Sequence, residues 1–140
     1  MKKIFLIITG FAWICTAAFA VNPPSEVQKS FEQKFPKAVN VKWEKENAKE
    51  WEAAFNFNGE KLSANFTNAG SWVETEKKIA VSDLPIPVTQ AVNKKYPAWK
   101  IIGAEKTETA KNAMIYEAII KSGSHKKEVA FKADGAPVIE

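Results

Sequence analysis

The chain has 140 residues, 46% of them hydrophobic, with a formal net charge of +4 and a single cysteine. All 20 basic residues are lysines, so the chain lacks the bidentate guanidinium that phosphate and base-edge recognition favours. That excludes a strongly basic nucleic-acid binder, and one cysteine excludes a disulfide framework or a thiolate metal site.

The first segment reads as an export signal. Lys2 and Lys3 form a basic start, residues 4–18 are an apolar run, and Ala18-Phe19-Ala20 is a cleavage signal, so residues 1–20 are expected to leave and the mature chain to begin at Val21. The apolar run is short of the roughly 20 residues a membrane span needs, so no stable anchor is expected after cleavage. A lipid-attachment signal would place a small residue before Cys15, and Ile14 stands there instead. Cleavage removes the cysteine and two lysines, leaving 120 residues with a formal charge of +2 in a periplasmic or secreted setting.

After the Val-Asn-Pro-Pro lead-in, Ser25 reads as an N-cap and Gln28 completes a capping box. Val27, Phe31 and Phe35 recur every four residues as one apolar helix stripe, stopped by Pro36. Strand alternation follows. Val39, Val41, Trp43, Trp51, Ala53, Phe55, Phe57, Leu62, Ala64 and Phe66 point toward the helix. Lys42, Glu44, Glu52, Asn56, Ser63 and Asn65 point away. Asn58-Gly59 is a two-residue hairpin signal, Asn68-Ala69-Gly70 a second turn, and a last strand runs from about Ser71 to Thr75. The first unit is therefore a helix and four antiparallel strands over residues 24–76, with a linker at 77–83.

Residues 84–140 repeat this order. Val88, Val92 and Tyr96-Pro97 follow Val27, Phe31 and Phe35-Pro36 at an offset of 61. Tyr116-Glu117-Ala118, Phe131, Gly135 and Val138 follow Trp51-Glu52-Ala53, Phe66, Gly70 and Val73 at an offset of 65. The slip of four is an insertion in the first hairpin, near Thr107 to Asn112. Strands are expected near 99–106, 113–122, 125–132 and 136–139. A tandem repeat makes two joined α-β4 units the leading architecture, in the α+β class. Each unit of about 55–60 residues is marginal alone.

Chemistry-bearing motifs are sparse. His125 is the only histidine, sits after a turn beside lysines, and reads as a turn residue rather than a general base. Asp134 precedes Gly135 as a turn former. The glutamates interleave with lysines as a solvated pattern, and no calcium-loop spacing accompanies Glu74 and Glu76. No phosphate loop is present, and no cofactor or metal is expected. Asn65-Phe66-Thr67 matches a glycosylation triplet inside a strand and reads as accidental. Trp43 and Trp51 read as core; Trp99 is expected at the join between units. Trp72 alternates with Val73, so one of the two faces outward, and an outward Trp72 would be a contact anchor.

The Val-x3-Phe-x3-Phe-Pro helix, the Val-x-Trp and Trp-Glu-Ala-x-Phe strands and the Asn-Gly turn, behind a signal peptide, resemble the PepSY-like, β-lactamase-inhibitor-protein-like family of exported bacterial proteins. The resemblance covers residues 24–140. It implies one curved antiparallel sheet with both helices on one face, and a concave face that grips a protein partner. No contact motif of an inhibitor is matched. The expected function is that of a non-enzymatic protein binding a protein or peptide, with peptidase inhibition as one form of it. An envelope sensor taking a small ligand in the concave face is the alternative. The expected contact surface is the sheet face away from the helices, through Ile115, Glu117, Ile119, Asn56 and Asn65, with Trp72 and the turns next.

Overall fold

The structure, a computed structural model, describes residues 22–111 and 113–138. The expected signal peptide and its cleavage point lie outside the described residues. Helix α1 (Ser25–Lys34) is followed by β1 (Val39–Lys45), β2 (Glu50–Phe57), β3 (Glu60–Thr67) and β4 (Trp72–Ile79). A single 3-10 turn at Val81–Asp83 then leads to α2 (Ile86–Lys95), β5 (Lys100–Thr109), β6 (Met114–Ser122) and β7 (His125–Lys132). The strands form one seven-stranded antiparallel sheet in chain order. By internal packing the chain divides into two compact units between Lys77 and Lys78, with residues 108–111 grouped with the first.

In the first unit α1 ends where Pro36 forbids continuation. Its last carbonyl bond is Phe35 N–H to Phe31 O at 2.8 Å. The expected capping box does not form. Pro24 is the N-cap, its carbonyl accepting from the amides of Val27 and Gln28, and Ser25 is already the first helical residue. The Gln28 amide instead donates to Pro23 O at 2.8 Å. Proline's fixed φ pre-sets the helix entry without a side-chain cap.

The helix stripe buries Val27, Phe31 and Phe35 against Trp51, Ala53, Phe55, Ala64 and Phe66. Phe31 is the hub. Its ring meets Phe55 at 4.9 Å, Trp43 at 5.2 Å and Phe66 at 6.1 Å between centroids, all edge-on, the arrangement ring quadrupoles favour. Burying rings of this size is worth about 1.5–3 kcal/mol each. Two of the expected inward residues are exposed rather than buried. Val39 is 56% and Val41 36% exposed. The β1–β2 register shifts between Val39 and Lys42, and Asn40 takes φ 58°. A bulge there turns the start of β1 away from the helix before Trp43 resumes the inward pattern.

β4 is longer than the expected 71–75. The expected linker at 77–83 is structured: its first three residues complete β4, and Val81–Asp83 form the 3-10 turn.

The second core gathers Leu84, Val88, Val92, Ala104, Ala118, Ile120 and Phe131. Trp99, expected at the join between units, packs against this core, with Tyr96 at 6.4 Å and the Lys127 ammonium 4.6 Å from its ring centroid. The expected fourth strand near 136–139 shrinks to a bridge between Phe131 and Pro137. Lys132 N–H bonds Ala136 O and Val138 N–H bonds Ala130 O, but Pro137 between them has no N–H to extend a ladder.

Two turn glycines are dictated by close approach. Gly70 and Gly135 both have φ 83°, and a Cβ on either would lie 2.6 Å from a helix carbonyl oxygen, that of Glu26 and of Pro87 respectively. Only glycine lets each turn pass so close to the first turn of its own unit's helix.

Candidate functional site

Side chains alternate across a strand, so the residues between those of the first core share the face of β1–β4 turned away from α1. The register aligns them in rows. Glu44, Glu52, Asn65 and Glu74 stand opposite one another across four strands, and Lys42, Ala54, Ser63 and Glu76 form the adjacent row.

This face is more buried than a free-standing polar surface. Asn65 is only 6% exposed, and its amide donates to Glu74 Oε1 at 3.3 Å. Ser63 Oγ donates to Glu76 Oε2 at 3.2 Å. Glu52 is half-buried, and its carboxyl is pushed from 4.5 to about 7, first by burial, then by the negative charge and hydrogen bond of Glu46 and the charge of Glu44; the Ser63 hydroxyl acts the other way. Asn56 sits at the end of this face, half-buried, opposite Lys61.

Trp72 does not belong to this surface. It packs against the first core on the helix side, opposite Phe66, with its indole N–H donating to Thr75 Oγ1 at 3.0 Å and the Lys34 ammonium 3.5 Å from a ring centroid. A bulge between Asn65 and Phe66 in the β3–β4 pairing sets that orientation. Trp72 is therefore anchored inside the first unit and is not an outward contact.

In the second unit Ile115, Glu117 and Ile119 share the outward face of β6, opposite Lys132, Ala130 and Glu128 of β7. The isoleucines are half-buried rather than fully exposed. Gly103 on β5 explains part of that: a Cβ placed there would be 3.0 Å from Ile119 Cδ1. The missing side chain leaves the trough in which Ile119 lies. This unit thus presents a small apolar strip flanked by Glu117, Glu128 and Lys132, whereas the first presents carboxylates and amides.

Sequence reasoning missed two features. One is the crowding around Glu52, foreshadowed by Glu44, Glu46 and Glu52 flanking one hairpin. The other is a cavity of about 230 Å³ between α1 and β1, lined by Phe31, Phe35, Val41 and Trp43 together with the exposed Glu32 and Lys37. It opens on the helix side of the first unit, not on the outward sheet face. No signal in the sequence announces it, because it arises from the bulge that displaces Val39 and Val41.

His125 is exposed at the start of β7. Among the described residues no three of His, Cys, Asp and Glu converge as metal ligands, and no helix is long and apolar enough to cross a membrane.

Residues 49–136 match the family model described as "Putative beta-lactamase-inhibitor-like, PepSY-like". The chain belongs to this PepSY-like family. Its PepSY-like fold is similar to that of a DUF2874 family protein from Bacteroides ovatus, at 24% identity and TM-score 0.71 over 84% of this chain and 86% of that one. A structure from Bacteroides eggerthii described as "putative periplasmic proteins" aligns at 17% identity and TM-score 0.72, covering 84% and 87%. A BLIP-like protein from Bacteroides fragilis aligns at 19% and 0.67, covering 84% of each chain. No curated protein matches. The PepSY-like assignment describes an inhibitor-like rather than a catalytic family.

Proposed function

We propose that the chain is an exported, non-enzymatic binding protein that presents the helix-free sheet face of its units to a protein or peptide partner, with peptidase inhibition as one form this binding takes. The observation that carries the reading is the pair of half-buried outward isoleucines on β6, Ile115 and Ile119, the second seated over Gly103, among charged residues. Apolar side chains set among charged ones on an open sheet face suit a contact patch. The charged and amide rows of the first unit supply a polar surface with internally bonded side chains, which presents fixed dipoles at little ordering cost.

The reading includes a tandem origin for the two units. Gly70 and Gly135 each pass 2.6 Å, measured to an ideal Cβ, from the carbonyl at the same point of the helix in their unit, and both helices end on the same backbone bond at 2.8 Å. A duplicated unit provides two related faces that diverged in chemistry, one acidic and one apolar. Placement in the periplasm is supported by the leader-like first 20 residues and by the description of the Bacteroides eggerthii neighbour. The small-ligand alternative is the weaker one, because the cavity of about 230 Å³ opens on the helix side rather than on the sheet face.

The test is affinity capture from envelope extract, followed by binding measurements with the captured protein. Ile119→Asp should weaken binding by about 1–3 kcal/mol, as for an interface-core residue, with unchanged unfolding. Unchanged affinity in both Ile119→Asp and Glu117→Lys would remove this face as the site.

A further inference from the structure

β1 stands first in the sheet order, so among the described residues one of its edges has no strand beside it. Such an edge presents free backbone donors and acceptors and invites another strand. Its bulge confines regular pairing to residues 42–45, where Lys42, Trp43, Glu44 and Lys45 meet β2 in order. On the outward face this stretch carries one cation and one anion two residues apart, Lys42 and Glu44, both exposed. Trp43 between them faces α1.

From this charge pattern we propose that β1 is a homotypic docking edge: two copies of the chain pair antiparallel through β1, about a two-fold axis at Trp43. In that register Lys42 of each copy stands opposite Glu44 of the other, giving two cross-strand pairs of opposite charge. Residues opposite one another must share a face, so other symmetric registers slip the centre to a neighbouring outward residue. Centring on Lys42 sets lysine against lysine, and centring on Glu44 sets glutamate against glutamate. Of these registers only the one centred on Trp43 sets opposite charges together without also setting like charges together, so the residues that repel arbitrary strands from this edge select a second copy. The pairing is isologous, as closed dimers require.

Two further features favour this occupant. Glu44 is pressed against Glu52 of its own chain, in direct register and close enough to raise the Glu52 pKa. A lysine from the second copy offsets that repulsion from the free side. Val41, 36% exposed at the α1–β1 cavity, would face Lys45 of the second copy, whose ammonium is held by its own Asn68 and Trp51 and whose methylene stem is left to cover apolar surface. Lys42 and Glu44 also stand in the outward rows of the first unit, whereas the isoleucines that carry the proposed function lie on β6, so Ile119→Asp probes that reading without touching this edge.

The experiment is sedimentation equilibrium of the protein expressed with residues 1–20 in place, at low salt, over a dilution series reaching about 1 mM, since a pairing of about five residues a side is far smaller than a standard interface. The wild type should shift from one chain to two as concentration rises. Lys42→Glu alone and Glu44→Lys alone should each stay monomeric, with urea midpoints showing them folded. An equimolar mixture of the two should dimerise, because each then supplies the charges the other lacks. The double variant Lys42→Glu/Glu44→Lys should dimerise again. A wild type that is monomeric throughout, single variants that still dimerise, or a mixture that stays monomeric would each overturn the proposal.

Discussion

Glu52→Gln isolates the energetic consequence of crowding three carboxyls around one hairpin. The folded protein holds the Glu52 carboxyl at about 7 against an ordinary value of 4.5. Between those two pH values the folded state binds more protons than the unfolded chain, so stability falls as pH rises through that window and is level above it. A shift of about 2.5 units corresponds to at most about 3.4 kcal/mol at 1.36 kcal/mol per unit. Glu52 is only half-buried, and solvent screening reduces this to about 1–2 kcal/mol. Glutamine keeps the shape and never ionises. The variant should therefore match the wild type near pH 4.5 and exceed it by about 1–2 kcal/mol near pH 8. Urea unfolding followed by tryptophan fluorescence at both pH values measures the difference, with equal m-values showing that the same surface is exposed. Removing the leading charged neighbour by Glu46→Gln should recover part of the same gain. Parallel pH profiles for wild type and Glu52→Gln would refute the placement of this carboxyl among Glu44, Glu46 and Ser63.

Gly70→Ala and Gly135→Ala should each lose about 2–4 kcal/mol, since both combine positive φ with a backbone clash. Gly59→Ala, with φ 82° but open space around it, should lose only about 1–2 kcal/mol. Equal losses at all three in urea unfolding would show that the close approach to the helices carries no energy. Phe31→Ala should cost about 3–5 kcal/mol, whereas Val39→Ala should fall within about 0.5 kcal/mol. A Val39→Ala cost above about 1 kcal/mol would put that side chain back in the core.

The order of elements was legible because the two periodicities are clean. Val27, Phe31 and Phe35 recur at helical spacing, and Trp51, Ala53 and Phe55 at strand spacing, and all six are buried in one cluster. The alternation also separated Asn65 and Glu52 from that cluster correctly. It failed where the backbone breaks its period of two. Val39 and Val41 have the parity of Trp43, yet a bulge with Asn40 in the left-handed region pairs Val39 with the outward Asn56 and leaves both valines exposed. Trp72 lies beyond a second bulge, which set its face in a way the sequence left open. The missing last strand has the same origin in backbone chemistry, since Pro137 cannot donate. Burial of the outward face was not legible either: a row of polar residues looks solvated in sequence, and only the register shows Glu44, Glu52, Asn65 and Glu74 side by side.

That contrast bears on where recognition by this chain resides. A buried core tolerates few residue types, so its pattern survives in the sequence, and the fold can be read from it. A contact face is set by which side chains stand opposite one another across strands, a relation that links residues 8 to 13 positions apart here, from Glu44–Glu52 to Glu52–Asn65. The outward row Glu44, Glu52, Asn65 and Glu74 of the first unit is acidic, whereas the outward face of β6 in the second carries Ile115 and Ile119. Under the proposed function, partner choice resides in the outward residues, which can change without disturbing the inward ones. Outward substitutions such as Ile119→Asp should leave unfolding unchanged while altering binding, and inward ones such as Phe31→Ala should do the reverse until the fold is lost.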